Sequence, residues 1–240
     1  MGVITISRQL GSGAADIVEQ VAEQLRYDVV DKQIISEVAR ATGVPEERVS
    51  EVDEQDETGL RGILERWFEA AAATGAYRAS GFGDAAIPPG ALIDELGETT
   101  HVLDREVYHE VVRQAITKLA ERGDVIIVGR GSMMVLQDVP GVLRVRITAS
   151  EQSRAERAGA LEGLGAREAL QLVRDSDRRR SAFISRNYHA DWDDASLYHL
   201  VINTEIVPSS TASKVIAAAA KDLAKPQAGA ARIRKRWFRR

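Results

Sequence analysis

Two glycine-flanked motifs directly follow runs of apolar, β-forming residues, and both have the makings of a phosphate holder. The first is Arg8-Gln9-Leu10-Gly11-Ser12-Gly13, placed after Val3-Ile4-Thr5-Ile6 and before Ile17, Val21, Ala22 and Leu25 at helical spacing. Strand, glycine-rich loop and helix is the order in which backbone N–H groups and a helix N-terminus converge on a phosphate. Gly11 and Gly13 would let the backbone approach a polyphosphate closely. The second motif, Gly129-Arg130-Gly131, follows Val125-Ile126-Ile127-Val128. An arginine between two glycines has room to offer its planar fork to a phosphate or a pyrimidine edge. A third basic stretch, Arg174-Asp175-Ser176-Asp177-Arg178-Arg179-Arg180, reads on charge alone as a solvated helix face.

Other polar residues suggest less chemistry. Asp191-Trp192-Asp193-Asp194 stands just before an apolar segment, where carboxylates serve as caps and turn formers. His101, His109, His189 and His199 have no ligand spacing, so no metal is assigned to protein side chains.

The elements that must position these motifs alternate. Strands are expected at Val3–Ile6, Asp28–Val30, Val125–Val128, Leu143–Thr148 and Leu200–Asn203. Helices are expected from Asp16 to Leu25, Lys32 to Thr42, Asp104 to Glu121, Glu151 to Leu161, Ala166 to about Phe183 and Ser210 to Leu223. This pattern predicts an α/β three-layer sandwich: a five-stranded parallel sheet with helices on both faces and a ligand site at the carboxyl ends of the strands. Residues 46–100 differ in texture, acidic at first, then an amphipathic helix near Leu60 to Ala73, then a glycine- and proline-rich run. They suit a mobile cover rather than a core.

At 240 residues, 44% hydrophobic and 28% charged, the chain fits one globular core with an insertion, over residues 1–225. It holds no cysteine, which excludes disulfides, thiolate metal sites and a cysteine nucleophile. No long apolar span and no secretory leader pattern are visible, so a cytoplasmic location is expected. The net charge of −4 hides an asymmetry, because residues 226–240 carry six Arg or Lys and no acid. Basic charge confined to a tail does not suit a DNA-binding face. The tail, with Trp237-Phe238 among arginines, reads as a disordered end that admits weak contact with anionic lipid or RNA, or packing on a second subunit.

Five segments in order resemble the cytidylate kinase-like family: Ile4-Thr5-Ile6-Ser7-Arg8 with Gly11-Ser12-Gly13; Asp31-Lys32-Gln33-Ile34-Ile35; Val128-Gly129-Arg130-Gly131; Asp177-Arg178-Arg179-Arg180; and Tyr198-His199-Leu200-Val201-Ile202-Asn203-Thr204. The resemblance implies a P-loop NTPase-type fold with a nucleoside monophosphate-binding insertion after the second strand and a lid over residues 166–195. It implies phosphoryl transfer from ATP to a nucleoside monophosphate, CMP or dCMP foremost, with Mg²⁺ brought by the ATP. Gly11, Ser12, Gly13 and Arg178 would then hold ATP phosphates. Asp31 and Arg130 would hold the acceptor, and Asp177 and Arg180 would close over the transfer.

The departures open a second function. A full phosphate loop reads G-x-x-x-x-G-K-[ST], its Lys reaching the transferred phosphate and its hydroxyl holding Mg²⁺. Here Arg8 stands at the first glycine, Ala14 at the lysine and Ala15 at the hydroxyl, with Asp16 next. Arg8 is the candidate substitute cation and so a candidate catalytic residue. Without that substitution the chain would be a catalytically weak nucleotide sensor on a kinase fold.

Overall fold

The computed structural model describes residues 2–31 and 105–224, with the side chains described from His109 onward in the second segment. The expected helices at 32–42 and 60–73, the cover at 46–100 and the tail at 226–240 lie outside the described residues.

The elements run β1 (Val3–Arg8), α1 (Ala14–Leu25), β2 (Asp28–Val30), α2 (Arg105–Arg122), β3 (Val125–Val128), α3 (Ser132–Val135), β4 (Val142–Thr148), α4 (Glu151–Glu162), α5 (Ala166–Tyr188), a 3-10 turn (Ala195–Leu197), β5 (Leu200–Asn203) and α6 (Ser209–Leu223). All five strands join one parallel sheet in the order β2-β3-β1-β4-β5. The interior strand β3 is a continuous apolar run buried on both faces, whereas β1 and β4 also carry Thr5, Ser7, Arg144 and Arg146. In register, Val3 lies beside Val125 and Val142, and Ile6 beside Val128 and Val145.

One face is covered by α1 and α6, whose Ile17, Val21, Ile216 and Ala220 close on Ile4, Ile6, Ile126, Val145 and Ile202. On the other face α2 and α3 pack against β3 and β1. Ile4, Ile6, Ile17 and Ile216 are wholly buried. At roughly 2 kcal/mol per fully buried large aliphatic side chain, this layer is the main source of stability. Helices α4 and α5 form an antiparallel pair with its own small core of Ala155, Ala158, Ala169 and Val173, into which Leu10 inserts.

The predicted elements recur with ends shifted by a residue or two, except α5. It runs five residues beyond Phe183 to Tyr188, because Ile184 and Tyr188 pack against Met133, Met134, Trp192 and Tyr198. No described helix is long and apolar enough to cross a membrane.

Candidate active site

A cleft opens at the carboxyl ends of β1 and β3, where a parallel sheet offers its ligand site. Arg8 ends β1, Asp31 follows β2, Arg130 follows β3, and Arg180 and Phe183 reach the cleft from α5. Arg8 donates from Nη2 to Asp31 Oδ2 at 3.1 Å, and Arg180 donates from Nη1 to the Arg8 carbonyl at 3.1 Å. Among the described residues lining the cleft, guanidinium groups outnumber carboxylates by three to one, a balance that attracts an anion. Gly129, Arg130 and Gly131 are all left-handed, with φ of 75°, 55° and 65°. For Arg130 that conformation costs about 1 kcal/mol, and strain of this kind is held only where its surroundings impose it. Here the Gly129 N–H donates to Ile6 O at 2.9 Å, and Ser132 N–H to Gly129 O at 3.0 Å. A Cβ on Gly131 would come within 2.7 Å of the Tyr188 ring, so only glycine fits there.

The glycine-rich loop lies beside this cleft and is tied to α4. Arg154, 2% exposed, donates to the carbonyls of Ala149 (3.0 Å) and Leu10 (3.4 Å) and grips Asp177 with both terminal nitrogens, at 3.1 and 2.7 Å. Arg157 donates to Gly11 O at 3.3 Å and to Thr204 Oγ1 at 3.1 Å, while Thr204 Oγ1 donates to Ser12 O at 2.7 Å. Within the loop the Gln9 N–H donates to Ile147 O at 3.1 Å and the Ser12 N–H to Gln9 O at 3.2 Å, while α1 starts after Gly13, which provides no side-chain cap. The Ser12 hydroxyl is buried and has no hydrogen-bond partner. A helix N-terminus without a side-chain cap suits a phosphate.

The sequence pattern of the cytidylate kinase-like family matches residues 3–206. The chain belongs to the cytidylate kinase-like family. It is 30% identical over 102 residues to a cytidylate kinase of Pyrococcus horikoshii, covering 42% of this chain and 52% of that protein. The chain thus spans about half the length of that curated relative. An uncharacterized protein from Eubacterium ventriosum superposes with a TM-score of 0.59 at 18% identity, over 92% of this chain and 99% of that one. A shikimate kinase from Bacteroides thetaiotaomicron superposes at 0.43 with 12% identity, over 94% and 99%.

Of the residues expected from the cytidylate kinase-like pattern, Arg8, Asp31, Arg130 and Arg180 come together in the cleft. Gly11, Ser12 and Gly13 stand at its side without lining it. Gly11 serves close packing: a Cβ there would sit 2.3 Å from the Arg154 carbonyl oxygen. Asp177 turns away from the cleft to Arg154, and burial raises its carboxyl above the usual range although Arg154 opposes this. Arg178 is exposed and pairs with Asp175 one turn back on α5.

Several residues of this region were not singled out in the sequence. Arg154 and Arg157 are spaced as any two helix arginines are, and only burial distinguishes them. Arg146, 4% exposed on β4, stacks at 4.1 Å over the Trp192 ring and bonds the Trp192 carbonyl and Asp193. Trp192 in turn donates from Nε1 to Ser7 Oγ at 2.8 Å, fixing the end of β1 beside Arg8. The neighbouring acids form turns as expected, with Asp191 accepting from Asp193 N–H and Asp194 capping Ser196 N–H.

Proposed function

We propose that this protein transfers the γ-phosphoryl group of ATP to a nucleoside monophosphate, with CMP or dCMP as the acceptor. The observation that carries this reading is the convergence of Arg8, Arg130 and Arg180 on one cleft at the strand ends, next to a glycine-rich loop that leads into a helix N-terminus without a side-chain cap. The acceptor's phosphate oxygen attacks the γ-phosphorus, the bond to the bridging oxygen breaks, and ADP leaves. Catalysis is then positioning and charge neutralisation, and no side-chain nucleophile is required. Arg130 orients the acceptor phosphate, Arg8 stands between the two phosphate sites in place of the absent loop lysine, and Arg180 joins the α5 lid to the end of β1. Ala15 offers no hydroxyl to a metal, and in this reading Mg²⁺ enters as part of the MgATP substrate. The family and its cytidylate kinase relative support the choice of acceptor, and a cytoplasmic enzyme accords with it.

A second reading has its own observation. Ala14 and Ala15 remove two catalytic groups, and Arg154 and Arg157 pin the loop, as in a nucleotide sensor with little turnover. A coupled ADP-release assay with MgATP and each nucleoside monophosphate separates the two. Turnover with CMP or dCMP that disappears in Arg130→Ala supports the kinase. Nucleotide-dependent thermal stabilisation without turnover supports the sensor.

A further inference from the structure

We infer that Phe183 is the platform on which the acceptor's nucleobase stacks, so that this ring selects nucleoside monophosphates over simpler phosphate monoesters. The inference rests on the acceptor-site reading above and deepens it. Phe183 and Arg180 both line the cleft from α5. Residues three apart on a helix share a face and are offset along it by about 4.5 Å. A ligand whose phosphate meets Arg180, Arg8 and Arg130 therefore carries its flat part toward Phe183. The ring is half-buried and held from two sides, at 5.6 Å from the His109 ring centroid and 6.1 Å, edge-on, from that of Tyr188. A ring fixed in this way loses little freedom when a base stacks on it. Around it the cleft turns apolar, with Val128, Met133, Ile184 and Trp192, which suits a heterocycle and not a second charged group. Stacking tolerates every base, because each has a π-face. Phe183 accordingly explains the preference for a base, and the choice among bases lies elsewhere.

The test is equilibrium binding of CMP and of ribose 5-phosphate to the full-length protein and to Phe183→Leu and Phe183→Tyr. Leucine keeps the apolar packing and loses the aromatic face; tyrosine keeps both. The wild type is expected to bind CMP roughly 10- to 100-fold more tightly than ribose 5-phosphate. Phe183→Leu should erase that ratio while leaving the ribose 5-phosphate affinity in place, and Phe183→Tyr should preserve it. A CMP preference that survives Phe183→Leu overturns the inference and leaves the acceptor site standing. An equal loss for both ligands reduces Phe183 to a packing residue and overturns it as well. A wild type that binds neither ligand defeats the acceptor-site reading itself and the platform with it.

Discussion

Arg154 and Asp177 meet as a two-pronged pair, Nη1 to Oδ1 at 3.1 Å and Nη2 to Oδ2 at 2.7 Å, joining α4 to α5 directly behind the glycine-rich loop. The same guanidinium holds Leu10 O, so the pair fixes the loop as well as the helices. Removing either partner leaves the other charge desolvated, which costs more than the pair itself contributes. Asp177→Ala is expected to lose roughly 3 kcal/mol in urea denaturation. The double variant Arg154→Ala/Asp177→Ala should be no less stable than Arg154→Ala alone. Additive losses in this cycle would show that the two groups act independently.

Gly11 and Gly13 are both left-handed, at φ of 75° and 69°, yet their surroundings differ. A Cβ on Gly13 has Arg157 Nη1 as its nearest neighbour, 3.8 Å away, whereas one on Gly11 meets the α4 backbone at 2.3 Å. Gly13→Ala should therefore cost only the left-handed penalty, about 1–2 kcal/mol. Gly11→Ala must also push the loop off α4, and its loss should exceed that of Gly13→Ala in the same denaturation experiment. Equal losses would mean that the contact with Arg154 does not govern the loop.

Burial pushes the Tyr188 phenol up to about 12, with Arg113 working in the other direction. A group whose folded pKa is raised gives its full stabilisation below the unfolded value, about 10, and loses it as pH climbs through the folded one. Stability should thus fall between pH 10 and 12 by up to roughly 1.4 kcal/mol per pH unit from this residue. Tyr188→Phe should flatten that part of the thermal-stability profile. A profile unchanged by the substitution assigns the alkaline loss to other groups.

Arg130 presents a trade between strain and binding. Its φ of 55° favours glycine, so Arg130→Gly relieves backbone strain of about 1 kcal/mol while removing the guanidinium from the cleft. The variant should fold with a stability within about 1 kcal/mol of the wild type and lose CMP-dependent turnover. Unfolding of Arg130→Gly under conditions where the wild type is native would assign Arg130 a structural role instead.

The sheet was legible because a strand buried on both faces favours apolar residues, as Val125–Val128 shows along its whole length, and because glycines mark the turn after it. The cleft residues Arg8 and Arg130 were legible for a related reason: in a parallel sheet, ligand-facing positions follow the strand ends, whereas Arg180, inside α5, was singled out by the family resemblance alone. Arg154 was not, since its partner Asp177 lies 23 residues away and an arginine in a helix carries no sign of burial. The end of α5 was missed because the contacts that prolong it, from Ile184 and Tyr188 to Met133 and Trp192, are tertiary.

The loop's missing lysine leaves Arg8 as the residue that separates the two functional readings. Arg8 and Asp31 are 14% and 12% exposed, and their 3.1 Å pair holds the guanidinium in the cleft at the strand ends. In this setting a cation facing the transferred phosphate is worth several kcal/mol in the transition state, because few waters screen it. Arg8→Ala should lower kcat at least 100-fold, roughly 2.7 kcal/mol, while changing ATP affinity far less. Arg8→Lys, which keeps the charge and loses the fork, should fall between the two. If instead Arg8→Ala weakens nucleotide binding and leaves an already slow turnover where it was, Arg8 is part of a binding site only, and the sensor reading takes the place of the kinase.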